Sequence, residues 1–352
     1  MTLRALVSAG PSLTEGLRSS GTSPGSKSLH LVGPGKVGRQ LLRELFTPPF
    51  PVRLVAVSDR SATVFDRAGL RTECLADHKE RGAPLSLLDG AQAVPLDLAL
   101  GLVRADFVVD ACDTRLDRSE DALRRVQAAL RSGSRVALAS KAALAVAADE
   151  LLATGRVGAN AALGGTGARL LRELPDLSRS CTEVALVANA STTALVEAFE
   201  RGEDRAEALR ALSARGVLEP DPAADLDGTD LALKLAIVAR AVFGLAPAVA
   251  DIPREGLQAL DPALAWWRAQ RGRTTRLVAR ATRAGELSVA LEELPRSSPL
   301  AVPSDRVAYV YGLGGGASRA HIGWGIGPRG TARALLADVA ALTAQANRGG
   351  AS

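Results

Sequence analysis

Cysteine is scarce in this 352-residue chain: Cys74, Cys112 and Cys181 are the only three, and no two form a C-x-x-C. That excludes a disulfide-stapled scaffold and a cysteine zinc cluster, and it suits a reducing compartment. Aromatic residues amount to 3%, too few for a protein that stacks bases on Phe, Tyr or Trp. An excess of one charge is also missing. The 43 basic and 38 acidic residues leave +5, spread along the chain, so no basic stripe for nucleic acid stands out. Apolar runs are broken by charges well before the ~18 residues of a membrane span. What is abundant is hydrophobic material, 47% of the residues, which excludes intrinsic disorder and supports a core of two-domain size. The expectation is a cytoplasmic protein with no nucleic-acid or membrane partner and no metal.

Residues 1–28 are rich in Ser, Gly and Pro, and their apolar stretch from Leu3 to Val7 is too short for a signal-peptide core. They read as a loose leader. Order is expected from Leu29, with a buried strand over 29–33 and a helix from Lys36 to Phe46 that Pro48, Pro49 and Pro51 end. A strand from Arg53 to Val57 closes in Ser58-Asp59-Arg60. A helical stretch and a polar region around 71–90 come next. The strand Phe107–Val109 then runs into Asp110-Ala111-Cys112-Asp113-Thr114. A helix over Ser119–Ser132 and a strand over Arg135–Leu138 complete an alternation typical of a parallel sheet covered on both faces.

Beyond about residue 150 the pattern changes. A strand at Glu183–Val187 precedes helices at Thr192–Phe199 and Ala206–Ser213 and a long helix over Leu226–Phe243. Alternating segments at Thr275–Ala281, Leu287–Leu291 and Val307–Leu313 suggest a mixed or antiparallel sheet. A helix over Thr331–Gln345 comes last.

Gly33-Pro34-Gly35-Lys36-Val37-Gly38 is a G-x-G-x-x-G between a strand and a helix, the context in which the motif carries meaning. Gly33 permits the tight turn, Gly35 lets a diphosphate approach the backbone, and Gly38 lets the helix pack closely on the sheet. The diphosphate would rest on the N–H groups that open the helix, those of Lys36, Val37 and Gly38. Asp59 and Arg60 end the second strand. A carboxylate there suits the ribose hydroxyls of NAD, and an arginine suits the 2′-phosphate of NADP, so NADP and NAD both stay open. Cys112, Asp113 and Thr114, and likewise Ser140 and Lys141, fall at the carboxyl ends of strands, where open α/β sheets bind ligands. A lone Lys141 between a buried strand and an apolar helix start calls for a partner charge.

Between Glu219 and Lys234 five carboxylates precede one lysine. Asp227 suits a helix N-cap, with Asp230 three positions on. Lys234 shares its helical face with Leu231 and Val238, while Arg240 points away, so Asp230 and Lys234 sit one turn apart in an apolar stripe. A buried pair of this kind needs further partners, and Glu219, Asp225 and a polar substrate could supply them. Lysine held by a carboxylate near a hydride donor suits proton transfer to or from a carbonyl or alcohol oxygen.

These residues together resemble the homoserine dehydrogenase family, over about 29–346. The resemblance rests on the glycine turn, on Ser140-Lys141 and on Asn189-Ala190-Ser191-Thr192-Thr193. It rests further on Glu219-x-Asp221-Pro222-x-x-Asp225-Leu226-x-Gly228-x-Asp230-x-x-x-Lys234, and on Gly325-x-Gly327-Pro328-x-Gly330-Thr331-Ala332. It implies NAD(P)-dependent interconversion of L-aspartate 4-semialdehyde and L-homoserine, in threonine and methionine biosynthesis, by a homodimer. By similarity, Glu219, Asp225, Asp230 and Thr192 would line the amino-acid site, Lys234 and Lys141 would serve catalysis, and Gly330 would lie in a turn beside the cofactor. The fold implied has a Rossmann-type nucleotide-binding domain at 29–150 and an α+β catalytic and dimerisation domain with a mixed sheet at 151–325. A C-terminal helix at 326–348 would pack back on the first domain. With Ser352 as the last residue, the regulatory domain that many relatives add is not expected here.

Departures from the family pattern are Ser140 for Asn, Asn160 for a Glu, Ala168 for a Pro, and Ala190, Ser191 and Thr193 in the Asn-Gly-Thr-x-Asn run. A neutral Asn160 would weaken the relatives' monovalent-cation site. The rivals are a related oxidoreductase acting on another small hydroxy amino acid or amino-acid aldehyde, and a nucleotide-binding homologue without turnover.

Overall fold

A computed structural model describes Leu17, 25–218, 223–325 and 327–349, apart from the side chains of 224, 225 and 347–349. The chain divides into two compact units. The first takes the described residues up to Ala143, then Gly155–Ala161, then those from Thr331; the second takes Leu144–Thr154 and Ala162–Gly330. The chain therefore changes unit at Ala143, earlier than residue 150, and returns briefly because a two-residue strand at 157–158 extends the first sheet.

The first unit holds β1 (Lys27–Val32), α1 (Lys36–Glu44), β2 (Val52–Ser58), β3 (Thr63–Phe65), α2 (Thr72–Glu80), α3 (Leu96–Val103), β4 (Phe107–Asp110), α4 (Ser119–Arg131), β5 (Arg135–Leu138) and β6 (Val157–Gly158). The order is β3-β2-β1-β4-β5-β6, parallel except for β3. Leu29, Leu31, Val109 and Val136 are fully buried, each worth ~1.5–3 kcal/mol of hydrophobic transfer, which is why the inner strands read as continuous apolar runs.

Two expectations change here. Of the leader, Leu17 is buried and its carbonyl accepts from the Arg71 N–H at 2.9 Å, and β1 begins at Lys27 rather than Leu29. The residues after Arg60 are not helical. The Asp59 carboxylate accepts from the N–H groups of Ser61 and Ala62, folding the chain into a β2–β3 hairpin, and the helix comes later, at 72–80, inside the polar region. β-branched Thr63 and Val64 favour the strand.

The second unit contains α5 (Ala142–Ala153, whose first two residues belong to the first unit), α6 (Leu170–Ser180), β7 (Cys181–Val187), α7 (Ala190–Glu200), α8 (Arg205–Ala214), α9 (Ala223–Leu226), α10 (Thr229–Phe243) and α11 (Pro262–Ala269). Its strands continue with β8 (Arg273–Thr282), β9 (Leu287–Pro295), β10 (Arg306–Leu313) and β11 (Ser318–Trp324). The sheet runs β11-β10-β7-β8-β9 and is antiparallel at each pairing, which settles what the sequence leaves between mixed and antiparallel. The expected long helix over Leu226–Phe243 is broken at Gly228, whose φ of +83° belongs to the left-handed region. The last helix, α12 (Gly327–Gly349), starts in the second unit and continues through the first.

Two buried titratable groups give the first unit opposite pH responses. His30 lies fully buried on β1; its Nε2 shares a proton with Ser58 Oγ at 2.7 Å, and Ser58 Oγ in turn pairs with Thr63 Oγ1 at 2.7 Å. Burial pushes the ring down to about 3. Asp338 on α12, fully buried, accepts from the Asn160 N–H at 2.9 Å and from Asn160 Nδ2 at 2.7 Å. Burial pushes its carboxyl up to about 7 against those bonds.

For His30, the unfolded chain takes up a proton below about pH 6.5 while the native ring stays neutral, so stability drains away as pH falls from there towards 3. Urea titrations should show wild type losing about 1.4 kcal/mol per pH unit relative to His30→Leu over the lower part of that window. A constant difference between the two would refute it. Asp338 acts in the other direction: its proton is kept in the native state and lost from the unfolded chain, so stability declines as pH rises from about 3.8 to 7. Carbon-13 NMR should find a carboxyl titrating near pH 7 that disappears in Asp338→Asn.

Candidate functional site

In the first unit the site is built on the turn after β1. Gly33 has φ +81°, and a Cβ on it would meet Cys112 N and Sγ at 2.8 Å. A Cβ on Gly38 would lie 2.4 Å from the Gly33 carbonyl oxygen, whereas one on Gly35 meets nothing within 4 Å. Two glycines are thus forced by close backbone packing, and the third keeps open space above the turn. Gly35 is the N-cap of α1 and makes no side-chain cap hydrogen bond. A helix start with open space beside its N-cap fits a dinucleotide diphosphate.

The neighbouring strand ends place their residues as follows. The Gly33 N–H donates to the Ser58 carbonyl at 2.9 Å, setting Asp59 beside the glycine turn. Asp59 is half-buried and accepts hydrogen bonds on both carboxylate oxygens, while Arg60 is exposed. After β4, the Cys112 N–H donates to Asp110 at 3.0 Å; burial, joined by the Asp110 charge, pushes the Cys112 thiol far up, so it stays protonated. Asp113 is exposed, and its carbonyl accepts a long 3.5 Å bond from buried Ser140. The Lys141 N–H donates to Thr114 Oγ1 at 3.1 Å.

In the second unit the centre is Lys234. It is 7% exposed on α10, a helix buried on nearly every side, so the apolar stripe inferred from the sequence is wider than one face. Its Nζ makes two short contacts, 2.6 Å to Asp230 Oδ2 and 2.6 Å to the Ala188 carbonyl. Ala188 opens the two-residue connection between β7 and α7. Asn189 follows it, and its Nδ2 reaches Asp230 Oδ2 at 3.4 Å while its Oδ1 caps α7 by accepting from Thr192 N and Ser191 Oγ. Above them lies Gly164, φ +87°, where a Cβ would stand 2.9 Å from the Ala188 carbonyl oxygen and 3.4 Å from Lys234 Nζ. Beneath, Tyr309 donates to the Leu163 carbonyl at 2.6 Å, and burial and the nearby Asp230 keep its phenol protonated. The result is an ammonium with two of its three protons committed, fixed in orientation, with side-chain bulk withheld from one side.

Asp230 and Lys234 are brought together as the spacing requires. Asp227, not Asp230, serves the helix start, accepting from the Thr229 N–H at 2.8 Å. Thr192 is buried and its hydroxyl donates to the Asn189 carbonyl at 3.2 Å. Glu219 and the side chain of Asp225 lie outside the described residues. Gly330 sits in the first turn of α12, 3.5 Å from Gly325 measured from the Cβ it lacks. Three participants were not identified from sequence: the Ala188 carbonyl, Gly164, and Asn189 as the link between α7 and Asp230. Only Asn189 had a sequence signal, its place at the start of a run of small hydroxyl residues. The cation-site position is also resolved locally, since the Asn160 amide is turned onto Asp338.

The family model for homoserine dehydrogenase matches residues 170–340. A homoserine dehydrogenase from Methanocaldococcus jannaschii is 24% identical over 335 residues, 88% of this chain and 96% of that protein. An NAD(+)-dependent homoserine dehydrogenase of Pseudomonas canavaninivorans is 27% identical over 314 residues, covering 85% and 89%. Among solved structures, a hyperthermophilic archaeal homoserine dehydrogenase in complex with NADPH superposes with a TM-score of 0.71 at 23% identity, over 91% of this chain and 98% of that one. The Thermoplasma acidophilum enzyme gives 0.71 at 20% identity, over 90% and 99%. With its parallel nucleotide-type sheet, its antiparallel second sheet and its close lysine–aspartate pair, this chain shares the homoserine dehydrogenase fold and is similar in sequence to that family over residues 170–340.

Proposed function

We propose that this chain is an NAD(P)-dependent oxidoreductase that interconverts L-aspartate 4-semialdehyde and L-homoserine. The observation that carries the reading is the Asp230–Lys234 pair, 2.6 Å apart, with the lysine buried and the aspartate side chain 19% exposed. A buried ion pair is a poor way to stabilise a helix, because apolar residues of similar volume do as well or better. Its use is chemical. Asp230 and the Ala188 carbonyl hold the Lys234 ammonium in place, and its third proton is directed to a substrate oxygen. As negative charge develops on the aldehyde oxygen, Lys234 stabilises it and hands over the proton; in the oxidative direction it takes the proton back.

The nicotinamide supplies or accepts the hydride. The residues that would hold its dinucleotide are those of the 33–38 turn, with Cys112 under Gly33. Lys141 would add a second cation for the substrate, and Glu219 and Asp225 would take its ammonium. A homodimer is the assembly proposed with this activity. The runner-up, another small hydroxy amino acid as substrate, keeps the same Lys234 chemistry and differs only around Ala190, Ser191 and Thr193.

Oxidation of NADPH and NADH with L-aspartate 4-semialdehyde, and reduction of NADP and NAD with L-homoserine and a panel of hydroxy amino acids, tests the assignment. Homoserine should give the highest kcat/KM, and a clear win by another substrate rejects it. Lys234→Met should fold, bind cofactor as wild type does, and lose about 10²–10⁴-fold in kcat, the usual worth of a general acid–base group. Near-normal turnover would remove Lys234 from the mechanism. Gly35→Val should weaken cofactor binding by about tenfold or more while leaving the melting temperature nearly unchanged, because its side chain would occupy the open space over the turn. An unaltered titration would reject the diphosphate site.

A further inference from the structure

The chain contains two tyrosines, Tyr309 and Tyr311. They lie two apart on β10, so their side chains share a face of the second sheet. Both are fully buried. Tyr309 Oη donates to the Leu163 carbonyl at 2.6 Å, and Tyr311 Oη donates to the Ala168 carbonyl at 2.7 Å. A buried phenol is costly without a partner, and so is a buried carbonyl, so each bond satisfies two groups at once. Burial, joined at Tyr309 by the Asp230 charge, pushes both phenols far up, and both remain donors at neutral pH. The two tyrosines therefore grip the two ends of one loop, residues 163–168.

That loop is tied from a second side. The Thr166 N–H donates to the Trp324 carbonyl at 3.0 Å, and Thr166 Oγ1 accepts from the Trp324 N–H at 3.1 Å. Backbone lies on backbone here. A Cβ on Gly323 would stand 2.7 Å from Gly167 Cα, and one on Gly325 would stand 2.7 Å from the Gly164 carbonyl carbon. Gly164 is where the loop meets the chemistry: the Cβ it lacks would stand 2.9 Å from the Ala188 carbonyl oxygen, the acceptor that holds Lys234 Nζ at 2.6 Å. Tyr309 braces the residue directly before Gly164. Tyr311 braces Ala168 at the loop's exit, next to the start of α6.

We propose that Tyr309 and Thr166 are positioning residues for the reaction, holding the 163–168 loop as a rigid wall against the Ala188 carbonyl and the Lys234 ammonium, while Tyr311 serves only the loop's exit. The inference rests on the reading of Lys234 as the proton-transfer group. A slack wall lets the carbonyl and the ammonium drift from the substrate oxygen, and a displacement on the order of 1 Å at a reacting group is costly to turnover. Groups that bind the rest of the substrate are untouched, so the loss falls on kcat and not on KM.

Tyr309→Phe and Tyr311→Phe form a matched pair, since each deletes one hydroxyl and leaves one buried carbonyl unpaired. Both should lower the melting temperature by similar amounts. With the hydroxy amino acid that wild type oxidises fastest, Tyr309→Phe should lose about tenfold in kcat at nearly constant KM, and Tyr311→Phe should keep kcat within about twofold of wild type. Thr166→Val, at a half-buried position, should lose kcat in the same way by about threefold, and it carries the test should Tyr309→Phe fail to fold. Equal kcat losses in the two tyrosine variants, or wild-type kcat in Tyr309→Phe or Thr166→Val, overturn the inference and leave the Lys234 chemistry standing. Reductive methylation with formaldehyde, followed by mass spectrometry, reads the wall without turnover. Lys234 should react about tenfold faster in Tyr309→Phe than in wild type or Tyr311→Phe, and an unchanged rate overturns the inference. A wild type that oxidises no hydroxy amino acid removes both readings.

Discussion

An ammonium enclosed in protein has to be surrounded by acceptors, and much of the second unit is arranged to provide them for Lys234. The Asp230 carboxylate comes from one turn earlier on the same helix, at 2.6 Å, and the Ala188 carbonyl from the end of β7, also at 2.6 Å. Fixing both acceptors requires the connection from β7 to α7 to stop where it does, which Asn189 ensures by capping α7 and reaching Asp230. Removing either acceptor would leave a charge buried with too few partners, a loss of several kcal/mol in comparable cases. The small residue at 164 belongs to the same constraint, since bulk there would press on both the carbonyl and the amine.

The first unit is governed by a different requirement, backbone on backbone. Gly33 lies against Cys112 and Gly38 against the Gly33 carbonyl, so the β1–α1 turn is locked to the end of β4. Between β1 and β4 the chain reverses its progress across the sheet, and crevices at such switch points are where open α/β sheets take ligands. Gly35 alone is free of neighbours, a division of labour among three identical residues that no propensity scale records.

Much of this was legible in the residues. The glycine spacing located the turn, and an i, i+4 aspartate and lysine sharing a face with Leu231 and Val238 announced a pair in an apolar setting. Side-chain chemistry at short range is what sequence conveys well. What it did not convey is contact supplied by distant backbone: the Ala188 carbonyl has no residue identity to read, and Gly164 matters for the atom it lacks. Asp59 is the sharper lesson. Its position suggested a ribose ligand, but Lys79 and Leu85, more than 19 residues downstream, occupy it. The β2–β3 hairpin was hidden for a related reason, because a polar turn of Asp, Arg and Ser opens helices as readily as it closes hairpins. Glu219 and Asp225, prominent in the spacing, lie outside what the structure describes.

The hairpin has a consequence for how the chain behaves before it is fully folded. Parallel sheets form late and expose unpaired strand rims that recruit other molecules into aggregates. Here one rim of the first sheet is the three-residue β3, further covered by the reciprocal bridge between Thr63 and Gln92, and the other is the two-residue β6. So little backbone is left to template a foreign strand that the nucleotide-type sheet carries its own protection against misassembly.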